Sequence, residues 1–191
     1  MEWRIIGMAI AAFAGLGLIL YVVITYNELV RLRNDSDRAW ANIDVLLKQR
    51  HDEIPNLVEI VKGYMHYEQE TLLAITQARA AALVTASIRE KAQADLVLTG
   101  ALRDFFGVAE NYPQLKANEH FLKLQKRLSE LEERIADRRE YFNDDVNTYN
   151  TRLRQFPEAF LAVTLRLKPL EMFKASEADS QPVSINFAQL G

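Results

Sequence analysis

The chain has 191 residues with a formal charge of −3, an apolar fraction of 49% and no cysteine. That balance excludes nucleic-acid binding by bulk electrostatics, and the missing thiols exclude disulfides, iron–sulfur clusters, thiolate nucleophiles and cysteine-ligated zinc. Only Gly63, Gly100 and Gly107 fall between the first apolar run and the final residue, and neither Asn-Gly nor Asp-Gly occurs, so the composition predicts an all-helical domain.

The first element is the run Ile5–Ile24, which carries no charge, amide or hydroxyl apart from the Tyr21 phenol. At about 1.5 Å rise per residue it covers a hydrocarbon core about 30 Å thick. It reads as one membrane-spanning helix, with residues 1–25 as anchor. A cleaved secretory signal is the rival reading, since Ala12-Phe13-Ala14 resembles a cleavage site. The apolar run continues well past it, however, and Arg4 is the single basic side chain before it, which favours an uncleaved anchor. Arg31, Arg33 and Arg38 follow the span, against Arg4 and the terminal amine before it. The count leans toward a cytoplasmic domain and leaves the orientation open.

Residues 26–174 form the folding domain and 175–191 a flexible polar tail. The first helix continues out of the span, with Leu29, Leu32, Ser36, Trp40, Ile43 and Leu47 on one stripe. At Lys48–Glu53 and Pro55 two readings compete. Asp52 caps a new helix with Pro55 in its first turn, or one long helix bends at Pro55; we favour the first. Helix two then carries Leu57, Val58, Val61, Met65, Leu72, Ile75 and Ala78, with Gly63 inside it, and ends at an Ala86-Ser87 turn. Helix three runs from Ile88 to Glu110 with Leu96, Leu102, Phe105, Phe106 and Ala109 inward, and Asn111-Tyr112-Pro113 ends it. Asn118 caps helix four, whose seam steps by three or four from Phe121 through Leu124, Leu128, Leu131, Ile135, Arg138, Phe142, Val146, Tyr149 and Leu153 to Phe156. Arg138 is expected to lay its stem along the core with its head in water, and Trp40 to be core. Four apolar stripes with short connections predict an antiparallel up-and-down four-helix bundle. Residues 160–167 alternate weakly and read as an extended segment over the bundle, and Val183, Ile185 and Phe187 as a weak strand or peptide signal.

Several blocks are specific: Tyr26-Asn27-Glu28-Leu29-Val30 with Arg33-Asn34, Ala39-Trp40-Ala41-Asn42-Ile43-Asp44, Arg50-His51-Asp52, Ile54-Pro55-Asn56-Leu57-Val58-Glu59 and Val61-Lys62-Gly63-Tyr64. Later ones are Ala78-Arg79-Ala80, Tyr112-Pro113-Gln114-Leu115-Lys116-Ala117-Asn118, Tyr141-Phe142-Asn143, Val146, Tyr149-Asn150 and Phe156-Pro157. In this order they resemble the LemA family of bacterial membrane-anchored helical proteins, from about Tyr26 to Phe173. The resemblance implies a four-helix bundle behind one span, a place in the bacterial cytoplasmic (inner) membrane, and no agreed reaction; some relatives sit in specialised membranes such as magnetosomes. Two departures are Glu53, where the family carries an apolar residue, and Gln49, where it carries a basic one.

No phosphate-binding glycine loop, nucleophile elbow or His-Glu-x-x-His motif occurs. None of His51, His66 or His120 has a glutamate three residues earlier, as a di-iron bundle needs. His66 and Glu70 share a face and read as a solvated pair. The Asn143, Asp144, Asp145, Asn147 and Asn150 cluster lacks the glycine turn of a calcium loop and reads as a polar face. We therefore expect no enzyme, no cofactor and no bound metal. The candidate partner contacts are the polar corner Arg50, His51, Asp52, Glu53 and Asn56, with Asn147 and Asn150 on helix four; for the corner, capping is the competing role. The expected partners are the membrane and envelope proteins, with self-association or lipid contact as the second reading and an unrecognised enzyme as the third.

Overall fold

A computed structural model describes residues 1–65 and 68–174, and its regular structure is helical. They are α1 (Glu2–Lys62), α2 (Gln69–Leu83), α3 (Ile88–Ala109), α4 (Pro113–Lys116), α5 (Glu119–Arg152) and α6 (Glu158–Thr164). No strand occurs among the described residues. The Val183, Ile185 and Phe187 signal and the polar tail lie outside them. The described residues form two compact units, one of Met1–Asn42 with Glu140–Glu171 and one of Ile43–Arg139 with residues 172–174.

The first correction concerns Pro55. The chain does not break there: α1 is one helix of 61 residues with Pro55 inside it. Leu47, Ile54, Leu57 and Val61 are all buried, so ending the helix at Asp52 would forfeit a continuous core stripe. A proline deprives the carbonyl four residues earlier of its helical donor. That carbonyl belongs to His51, and the Nε of Arg79 donates to it at 2.8 Å. Asp52 and Arg50 therefore sit at no helix end, and the capping role falls away. The segment Leu57–Lys62 belongs to α1, and the helix ends one residue before Gly63.

In the second unit one core joins Ile54, Leu57, Val61 and Met65 to Ile75 and Ala78 of α2, Leu98, Leu102, Phe105 and Ala109 of α3, Leu115 of α4, and Phe121, Leu124 and Leu128 of α5. Its aromatic centre is Phe105 edge-on to Phe106 and Phe121, at 5.3 and 6.4 Å between centroids. The expected start of α3 is built as a capping box. The Ser87 hydroxyl accepts from the Glu90 amide at 3.1 Å, and the Glu90 carboxylate accepts from the amides of Ser87 and Ala86. Those amides, with the Ser87 hydroxyl, hold the Glu90 carboxyl below the usual range. Asn118 caps α5 as expected, its Oδ1 accepting from the amides of His120 and Phe121. Leu96 departs from its inward assignment and is exposed.

In the first unit α5 descends antiparallel to α1. Trp40, half-buried, lies 5.6 Å from Phe142, and Leu29 shares a cluster with Tyr149, Leu153 and Ala162. Burial pushes the Tyr149 phenol pKa up, against the pull of the Arg33 guanidinium. Arg152 reaches Glu28 at 3.4 Å and Glu158 at 2.7 Å. Phe156 is not part of the seam. α5 ends at Arg152, the 3.6-residue period ends with it, and Phe156 is 90% exposed beside a cis Phe156–Pro157 peptide. The weakly alternating stretch is a helix, α6, seated on Glu158 and Ala162. Its end is a Schellman turn, in which the Leu167 amide donates to the Ala162 carbonyl and the Arg166 amide to that of Val163. Arg166 takes the left-handed conformation there, φ 54°, where glycine is customary and another L-residue costs about 1–2 kcal/mol. Residues 167–174 after it carry no regular secondary structure.

Residues 5–20 of α1 are exposed throughout. Among the described residues α1 is the one helix long and apolar enough to cross a membrane.

Candidate functional site

The unusual chemistry of the second unit centres on Arg50. The heptad-like run Ile43, Leu47, Arg50, Ile54 and Leu57 puts a guanidinium on the buried stripe of α1, and Arg50 is fully buried. The Ala92, Asp95, Leu98, Leu102 stripe of α3 does the same with a carboxylate, 3% exposed. The two meet: the Nη2 of Arg50 donates to Asp95 Oδ1. Its Nη1 donates to Glu132 of α5 and, at 2.9 Å, to Thr99 Oγ1. The Thr99 hydroxyl lies 3.3 Å from the other Glu132 oxygen. Arg139 approaches Asp95 Oδ2 at 3.6 Å and lies 5.0 Å over the ring of Phe173. Two arginines thus face two carboxylates. Burial pushes the Asp95 carboxyl up, and the two guanidiniums oppose that shift. Breaking this cluster would leave a buried charge short of partners, and the Nε of Arg50 is itself buried without a hydrogen-bond partner.

Beside this cluster lies a cleft of about 220 Å³ bordered by Asp44, Lys48, His51, Asp52, Lys91 and Asp95. Lys91 pairs with Asp44. His51 is 8% exposed, and its Nε2 has no hydrogen-bond partner. Burial, with Arg50 and Arg79 nearby, pushes its pKa down to about 4, so the ring is neutral at pH 7, with one nitrogen a donor and the other an acceptor.

The seven sequence-derived contacts separate accordingly. Arg50, His51, Asp52, Glu53 and Asn56 lie in the second unit, and Asn147 and Asn150 in the first. Arg50 faces the core, not a partner. Glu53 accepts from Arg127 at 2.7 Å and from Asn56 at 3.3 Å. Asp52 and Asn56 are exposed, as is Asn147. Asn150 clamps the segment after α6, its Nδ2 donating to the Leu170 carbonyl and its Oδ1 accepting from the Leu170 amide, both at 2.9 Å. On the same polar face burial raises the Asp145 pKa, with Asp35 and Asp144 adding to the shift. His66 lies outside the described residues, so its pairing with Glu70 does too. Arg79, Asp95, Thr99, Glu132 and Arg139 are absent from those seven contacts. The signal that points to the first contact is a charged residue in step with an apolar stripe, at both Arg50 and Asp95.

The LemA family model matches residues 39–187 of this chain. The chain belongs to the LemA family. It is 30% identical to "Protein LemA" of Metamycoplasma hominis over 158 residues, covering 80% of this chain and 70% of that protein. It is 21% identical to "Magnetosome protein MamQ" of Magnetospirillum gryphiswaldense over 202 aligned positions, covering 92% of this chain and 74% of the relative. "Magnetosome protein MamQ 2" of Paramagnetospirillum magneticum stands at 22% over the same coverage. The family match takes in Arg50, Asp95, Glu132 and Arg139, and leaves the apolar run 5–24 outside it.

Proposed function

We propose that this LemA-family chain is a non-catalytic, membrane-tethered interaction module of the bacterial cytoplasmic membrane, its helices arranged as an antiparallel up-and-down bundle that holds envelope proteins at the bilayer. The observation that carries this reading is α1 itself. An apolar run with no buried residue from 5 to 20 continues without interruption into the helix that supplies Arg50 and the core. The apolar part demands a lipid environment, and the unbroken backbone makes the rest its cargo. The buried Arg50 cluster supports a structural use for the chain's most unusual polar group. The exposed Asp52, Asn56 and Asn147 supply polar contact surface. The magnetosome proteins among the relatives support a place at a membrane.

The test is capture of the tagged full chain from detergent-solubilised membranes. A saturable partner competed by untagged chain, and weakened by Asp52→Lys with Asn56→Lys, is the expected result. Recovery of the chain in the aqueous fraction, the absence of a saturable partner, or turnover by the purified protein would overturn the reading.

A further inference from the structure

The first unit carries an apolar surface that its own packing leaves uncovered. Phe156, Phe160 and Val163 are 90%, 73% and 79% exposed. Phe160 and Val163 are three apart on the side of α6 away from Glu158 and Ala162, which are buried. We propose that this α5–α6 corner is a second membrane contact, a wedge that lies in the bilayer interface beside the span with its phenylalanines toward the acyl chains.

Position argues for lipid as the occupant. Going down α1 from Trp40 to Glu28, the facing residues of α5 rise from Phe142 to Arg152, so α5 runs toward the span. Ala162 anchors α6 in the cluster that holds Leu29. Leu29 lies five residues past Ile24, about 7.5 Å along the helix axis. The headgroup layer on each side of the hydrocarbon is about 5–8 Å deep. The corner is therefore held at headgroup depth by the helix that enters the membrane, and Phe156 lies beyond the end of α5.

Charge argues for the same occupant. Next to Val163 a groove of about 340 Å³ is bordered by Asn150, Arg154, Arg166 and Lys168, with no carboxylate on its lining. Arg154, Arg166 and Lys168 are exposed. Three cations on the groove that Val163 borders match an anionic headgroup above acyl chain. Arg166 keeps its side chain at the one left-handed position among the described non-glycine residues, where a glycine would relieve the backbone, and the groove gives that arginine a use.

This inference rests on the reading of residues 5–24 as a span, and the experiment separates the two. The chain has no cysteine, so single nitroxide labels can be placed at Phe160→Cys, Val163→Cys, Leu18→Cys in the span and Glu133→Cys as a solvent control. The full chain is placed one copy per nanodisc of phosphatidylcholine with phosphatidylglycerol. Labels at 160 and 163 are expected about 5–10 Å below the headgroup boundary, open to oxygen and shielded from a water-soluble nickel chelate, with 133 the reverse. Arg154→Glu with Arg166→Glu and Lys168→Glu is expected to return them toward water. Labels at 160 and 163 as nickel-accessible as 133, with 18 in lipid, would overturn the wedge and leave the span. Shielding from both reagents would overturn it in favour of a protein cover. Nickel access at 18 would overturn the span and the wedge together.

Discussion

Arg50 shows how a single residue can decide a helical packing. Replacing it with methionine leaves Asp95 buried beside Arg139 alone, and the loss is expected to be about 3–5 kcal/mol, read by chemical unfolding of the full chain in detergent. Arg50→Met with Asp95→Leu should recover part of that loss, since it is the orphaned charge that is costly. His51 adds a pH dependence whose sign follows from its folded pKa, about 4, lying below the ordinary 6.5. The native state binds the proton less well than the unfolded chain. Its contribution is full above pH 6.5 and is lost as pH falls from there toward 4, up to about 3 kcal/mol. Unfolding midpoints between pH 7 and 4 should therefore fall more steeply for the native sequence than for His51→Gln.

At the scale of elements, α1 depends on a donor from another helix. Arg79→Ala strands the His51 carbonyl and should cost about 1–3 kcal/mol. In a Pro55→Ala background the same change should cost less, because the restored amide takes over the carbonyl; a double-mutant cycle measures the coupling. In the turn that ends α6, Arg166→Gly relieves the left-handed backbone and should raise stability by about 1 kcal/mol, seen as a higher thermal midpoint. These elements also mark what the sequence could reveal. The α2–α3 turn, the limits of α3 and the Asn118 cap were legible, because each rests on a local signal of cap, proline or period. The continuity through Pro55 was not, since its warrant is Arg79, 24 residues further along the chain. Phe156 misled because it continues the period of α5 past the residue where the helix stops. The site was the least legible part. Arg50 was visible as a polar residue but not as a core residue, because its partners come from α3 and α5.

For the molecule as a whole, the membrane reading has a direct test in α1. A charge at the middle of the span costs about 2.5–3.5 kcal/mol on insertion scales, so Ala14→Arg with Leu16→Arg should move a large share of the chain into the alkaline-extractable fraction, while Glu133→Arg should not. The all-helical class and the apolar first element were plain from composition and from the run at 5–24, since both are properties of many residues at once. The division of the chain into two units was not, because α1 and α5 each pass through both and no glycine- or proline-rich linker marks the boundary.

Asn150 grips the amide and the carbonyl of one residue, Leu170, and so works as a ruler. Adding or removing one residue between them would offer the wrong peptide group to both ends of the carboxamide, and Asn150→Asp would lose the donor half of the grip. Variation in chain length should then be resisted at residues 165–169.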